Sequence, residues 1–288
     1  MQLTRRGFTL VELLVALVLL GVITAALYRV LVTNQRVYQA QTQRIDLQQN
    51  IRAAVTILPA EFRELAASDG DIQVMTSTQL QIRAMRWLGF VCQAPVLGGL
   101  LGGVQMTIRA APFYGARGIN TATDSMFIYY DGNPASRLDD TWARAKPTAA
   151  TLQNCPAGPG TQITMNLALG AAPNVAGAIP VGAPVRGYER VTYQLYQPAG
   201  DTSWYVGLQP AGGTMQPLIG PVLPNGLTLT YFDSLGVATA NPARVARIDI
   251  IVRARTAQPV RAAGGSGALI RSVDSVVTSV ALRNNRRF

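Results

Sequence analysis

An α+β fold, one long helix ahead of an antiparallel sheet, is what this 288-residue sequence predicts. Three observations carry that reading. An apolar run of 21 residues, Phe8 to Tyr28, opens the chain with a single charged side chain, Glu12. A helical stripe follows, with Ile51, Val55, Leu58, Phe62 and Leu65 stepping by four and three. From residue 72 onward the apolar positions alternate instead, the signature of half-buried strands.

The first element is long enough to cross a bilayer, since about 20 apolar residues span the hydrocarbon as a helix. Arg5 and Arg6 precede it with no acid before Glu12, and Arg29 closes it. The positive-inside bias then sets the N-terminus in the cytoplasm and everything after Arg29 outside. A looser stripe among glutamines joins Val30, Leu31, Val37, Tyr38 and Ile45 to the second half. One helix of about 60 residues is expected, spanning the membrane over 8–28 and lying outside it over 29–67. Pro59 is expected to kink or restart it, and "SDGD" at Ser68 to Asp71 to end it.

Residues 72–288 read as a single β-rich globular domain. "TQLQIRAMRW" and "VQMTIRA" alternate, and "SMFIYYDG" is a dense apolar strand running into a turn. "YERVTYQLYQ", "PAGD" and "TSWYVGLQ" form a hairpin pattern. "LPNGLTLTYFDSLG" puts Leu227, Leu229 and Tyr231 on one face, and "RVARIDIIVRAR" and "DSVVTSVALRN" close the series. Gly/Pro-rich connections are expected at 95–103, 131–161, 170–187 and 257–268.

Composition limits the chemistry. Charged residues are 14% of the chain, low for a cytosolic enzyme and ordinary for a membrane-tethered or exported protein. The formal charge of +10 comes from dispersed arginines and one lysine, Lys146. Along the chain no basic cluster with interleaved aromatics is legible, so nucleic acid is not an expected partner. The absence of histidine removes the commonest general base and zinc ligand, and no serine or threonine has a credible base. No enzyme activity, cofactor or metal is expected. Cys92 and Cys155 make no CxxC pair and leave either one disulfide or two unpaired thiols. A bridge between them would close a loop of about 64 residues, a stabilisation of roughly 4 kcal/mol. Asp233 reads as a turn-former. Tyr188, Tyr193, Tyr196, Trp204 and Tyr205, gathered in the expected hairpin, read as core or interface.

Three readings compete for the N-terminus. An ordinary signal peptide would be cut near "TAAL", and "TRRGFTL" superficially fits a twin-arginine export signal. Both need a shorter apolar region, a better small-residue cleavage site and no carboxylate near the start. The third reading fits every residue: "RRGFTLVELLVALVLLGVI" resembles the N-terminus of type IV prepilins and type II secretion prepseudopilins. The resemblance covers about the first 25 residues.

That resemblance implies a leader over 1–7, cut by a prepilin peptidase between Gly7 and Phe8, with Phe8 then N-methylated. Glu12 matches the family's acidic position, where it would pair with the new Phe8 amine of a neighbouring subunit and set register. The alternative is that Glu12 only compensates its own helix N-terminus, worth about 0.3 to 1 kcal/mol. The C-terminal strand order, with "YFDSLG" and "LRNN", resembles the large minor pilins of the PilW group and the J-type minor pseudopilins. Implied partners are other minor and major pilins or pseudopilins through helix bundling, the peptidase and the inner membrane, with no small-molecule substrate. The implied location is single-pass in the inner membrane, domain periplasmic, and then in a pilus or pseudopilus. Some pseudopilins bind calcium; here Asp131, Asn133, Asp139 and Asp140 are the loop groups to consider, though Asp-Gly-Asn is ordinary turn chemistry. A tip-borne adhesin or DNA receptor and, remotely, a secreted enzyme are the rival functions.

Overall fold

The computed structural model describes residues 9–98, 102–115, 117–131, 135, 141–167, 179–261 and 268–283. Helix α1 runs Leu10–Arg63, 54 residues, and the regular structure described after it is strands with short 3-10 turns. The α+β architecture is the one the sequence predicts.

α1 does not restart at Pro59. The helix continues to Arg63 with Leu58 and Phe62 wholly buried around the proline. An interior proline costs about 3 kcal/mol, and complete burial of a Leu and a Phe contributes enough to offset it. The helix also ends before "SDGD". Leu65, Ala66 and Ala67 leave it but stay buried, and the Asp71 carboxylate accepts the Ala66 N–H at 2.9 Å. A 3-10 turn at Ala67–Asp69 and a left-handed Gly70 (φ 78°) then redirect the chain.

Fourteen strands follow among the described residues. They are β1 (Ile72–Met75), β2 (Gln79–Gly98), β3 (Gly102–Arg109), β4 (Tyr114–Gly115), β5 (Asp124–Tyr130), β6 (Thr141–Cys155) and β7 (Gly158–Leu167). Then come β8 (Pro184–Tyr196), β9 (Trp204–Gln209), β10 (Gln216–Phe232), β11 (Arg247–Arg255), β12 (Val260–Arg261), β13 (Leu269–Ile270) and β14 (Val273–Ala281). The expected hairpin is β8–β9, paired from Thr192 with Gln209 to Tyr196 with Tyr205. All four expected connections are corrected in part: 184–187 opens β8, and 257–268 contains β12 at Val260–Arg261. Residues 95–98 belong to β2, and 131–161 holds β6 and the start of β7. Over 148–154 β6 is exposed on both faces, so nothing there required apolar alternation and the period-two signal was absent.

Two structures share β2 and β8. In the first, β1–β2–β8–β9–β10–β11–β14 form a sheet. α1 packs on it through Leu47, Ala54, Leu58 and Phe62, against Leu80, Ile82, Tyr193, Leu229 and Ile250 among others. In the second, β2 pairs β3, β3 pairs β7, β7 pairs β6, β6 pairs β5, β5 pairs β8, and β8 returns to β2. Six antiparallel strands thus close on themselves as a barrel, which leaves no free edge within the ring. Its interior is a second core built by all six: Trp87 and Val91, Met106 and Ile108, Met126 and Ile128, Ala145, Ile163 and Met165, and Val185. Trp87 fits because its partner Gly187 has no Cβ; one added there would overlap the indole ring.

Candidate functional site

The N-terminal half of α1 is the first candidate. Residues 1–8, with Arg5, Arg6, Gly7 and Phe8, lie outside the described residues. Thr9 is the N-cap, with extended backbone, and its hydroxyl accepts the Glu12 N–H at 3.3 Å. The Glu12 carboxylate reaches back to the Thr9 N–H at 3.5 Å, completing a capping box. In the isolated chain, Glu12 therefore serves its own helix terminus.

No residue of α1 before Leu47 is buried. Every helix residue through Leu31 is exposed, so at 1.5 Å per residue roughly 33 Å of helix stands clear of the domain, and farther on Gln43 accepts the Gln258 N–H at 2.9 Å. Leu13, Leu14, Val15, Leu17, Val18, Leu19 and Leu20 are all more or less half exposed. Apolar on every side, this segment suits lipid or a bundle of like helices, not one face of a soluble core. α1 is long and apolar enough to cross a membrane. Residues 3–28 match the prokaryotic N-terminal methylation motif. That motif is type IV pilin-like, and the apolar helix that overlaps it fits membrane anchoring. No curated protein and no solved structure matches the chain. The methylation motif covers only the first tenth of the molecule, so the β domain must be read from its own chemistry.

A charge network ties the last turn of α1 to the barrel. Glu61 bonds Arg86 of β2 at 3.2 Å, and Arg86 Nε donates to Glu189 of β8 at 3.2 Å. Glu189 also takes Arg117 at 3.1 Å, and Arg117 donates to Asp124 at the start of β5. Asp124 is fully buried and accepts further bonds from Trp87 Nε1 and the Asn120 N–H, each 2.9 Å. Burial alone would raise the Asp124 carboxyl, but the bonds from Arg117, Asn120 and Trp87 outweigh it and hold it below the ordinary 3.8. A depressed acid stabilises the fold above its unfolded value and loses that contribution as pH falls through its folded value. Asp71, raised mainly by burial, acts in the opposite sense above 3.8. Asp124→Asn is expected to cost about 2 kcal/mol near neutral pH, because the charge-assisted bonds to Arg117 are lost while Arg117, partly exposed, keeps Glu189. The same variant should flatten the stability loss of the parent protein below pH 3.8, the ordinary Asp value. Chemical denaturation across pH checks both; parallel curves would show that Asp124 does not titrate on folding.

A disulfide joins Cys92 of β2 to Cys155 at the end of β6, with Cα atoms 5.7 Å apart. It passes over β3 and β7 at one end of the barrel, and the Cys155 sulfur lies 3.7 Å from the Ile108 carbonyl. Gly160 lets it pass, since a Cβ there would stand 2.6 Å from that sulfur. Cys155 sits in the tight β6–β7 turn, paired with Gly158, and not in the long loop expected there.

The remaining sequence candidates separate. Asp131 directly follows β5, while Asn133, Asp139 and Asp140 lie outside the described residues. Among the described residues no group of three His, Cys, Asp or Glu could hold a metal. Asp233 takes the Leu235 and Val237 N–H groups at 2.9 and 3.0 Å, which is turn chemistry. Tyr193 packs edge-on against Phe62 in the helix-facing core, whereas Tyr188 stacks on Phe127 on the opposite face. Tyr196 and Tyr205 tilt together at the hairpin end, and Trp204 packs at the margin of the helix-facing core. Sequence reasoning missed the charge network. Its members lie on α1, β2, β5, β8 and one loop, and the single signal in the sequence was a glutamate, Glu189, inside an apolar strand.

Proposed function

We propose that this chain is a low-copy subunit of a type IV pilus or type II secretion pseudopilus. It is cut after Gly7, methylated on Phe8, held in the inner membrane by α1 and then assembled through that helix into a tip or priming complex. The observation that carries the reading is the methylation motif over 3–28 overlapping a helix that is exposed along its whole apolar segment, from Leu10 to Leu31. Around the apolar segment, other pilin or pseudopilin helices supply the cover that the domain does not. Within that bundle the Phe8 amine of one subunit and Glu12 of the next form an ion pair that sets axial register; buried in low dielectric, each charge needs the other. A domain with two cores is bulky for a long repeating fibre, which favours low copy number and a terminal position.

Mass spectrometry of the mature chain from membranes tests this. The expected N-terminus is methylated Phe8. A start near Leu27 would mean an ordinary signal peptide and would sink the proposal.

A further inference from the structure

Folding gathers basic and aromatic residues that the sequence scatters. On the outside of the barrel, β6, β5, β8 and β2 lie side by side. Across the first three, Arg144, Phe127 and Arg186 stand in one row, with Trp142 beside Tyr129 in the next row. Arg190 of β8 stands opposite Arg83 of β2. Lys146 continues the outward face of β6. Like charges directly opposed on a sheet destabilise it. Among the described residues none of these five cations has an ion-pair partner. Burial is the largest influence lowering the Arg83 pKa, and the Arg144 and Arg190 charges add to it. Asp71, on which the Arg186 and Arg83 charges act, is itself buried and raised by burial.

The aromatics are interleaved with these charges. Arg83 lies 5.4 Å from the Phe127 ring centre and 5.5 Å from that of Tyr188. Arg186 lies 5.6 Å from Trp142, and Trp142 meets Tyr129 edge-on at 5.8 Å. Phe127, Tyr129 and Trp142 are all partly exposed, with Arg144, Lys146 and Arg190 open to solvent around them. Among the described residues this face has no ion-pairing anion on its cations, and its aromatics are partly open. A single-stranded nucleic acid suits both, with phosphates along the strand and free base faces beside them. A duplex keeps its bases stacked and needs an element that enters a groove, which this sheet surface does not present. The barrel meets α1 at Glu61, at the end of the helix remote from the apolar segment.

We propose that this outer face of the barrel binds single-stranded nucleic acid, with Arg144, Arg186, Arg190 and Lys146 on phosphates and bases stacked at Trp142 and Tyr129. The site stands apart from the assembly role and holds whether or not α1 enters a fibre. It reverses the expectation, drawn from linear dispersion, that nucleic acid is no partner.

The test uses the full chain in detergent micelles and fluorescence anisotropy. The probes are labelled oligothymidylate of about 15 nucleotides and an abasic strand with equal phosphate count. Oligothymidylate is expected to bind at least about tenfold tighter than the abasic strand. Trp142→Ala should remove most of that ratio, and Arg144→Ala with Arg186→Ala should weaken both probes and lower the salt dependence. Unchanged melting temperatures certify the variants as folded. Equal affinity for the two strands would overturn base stacking. So would a sulfated polysaccharide competing as well as oligothymidylate, or binding indifferent to both arginines.

Discussion

Glu12→Ala is expected to leave leader cleavage intact and to abolish or strongly reduce incorporation of the subunit into its assembly. The cap that Glu12 supplies is exposed and long, at 3.5 Å, so its loss should cost the helix less than about 1 kcal/mol. An amine left unpaired inside a helix bundle costs about 3 to 5 kcal/mol, a weakening of some hundredfold or more at each subunit contact. Glu12→Gln separates the two roles. Glutamine at this position still closes a capping box but carries no charge. Cell fractionation with sheared-fibre immunoblots reads the result. If Glu12→Gln assembles like the parent, capping is the whole function of the residue. If it fails as Glu12→Ala does, the charge is required.

Breaking the Cys92–Cys155 bridge should have the largest effect on stability. The cysteines are 63 residues apart, and the chain between them supplies β3, β5, most of β6 and the end of β2 to the barrel. Chain-entropy reasoning for a loop of that size gives about 4 kcal/mol. The loss should be local. Cys92→Ser with Cys155→Ser, or reduction, is expected to expose barrel amides to hydrogen exchange while amides of α1 beside Leu58 and Phe62 stay protected. Uniform loss of protection would instead show that the two cores unfold as one unit.

The helix was legible because its signals are local: length, periodicity and the methylation motif all lie in contiguous sequence. The same holds for β11 and β14, where every second residue of "RIDIIVRAR" and the apolar positions of "VVTSVA" announce a sheet face. β6 escaped because half of it, 148–154, is exposed on both faces and held by pairing with β7 alone. Barrel closure escaped for another reason. It depends on β2 being long enough to pair β8 along Gln79–Phe90 and β3 along Val91–Gly98, and no periodicity reports which partners a strand takes. The basic face was invisible for the same cause, since Arg83, Arg144, Arg186 and Arg190 meet only once four strands are in register.

The way the ring closes has an evolutionary consequence. The chain departs from the helix-bearing sheet after Phe90 and rejoins it at Pro184, and those two residues stand opposite each other on β2 and β8. Departure and return points lie one strand spacing apart, about 5 Å. Everything between them is an excursion that starts and ends at the same place, so it can be lengthened, shortened or exchanged without moving any strand against α1. Selection on what the far end of the molecule touches can thus proceed independently of selection on how the near end is held.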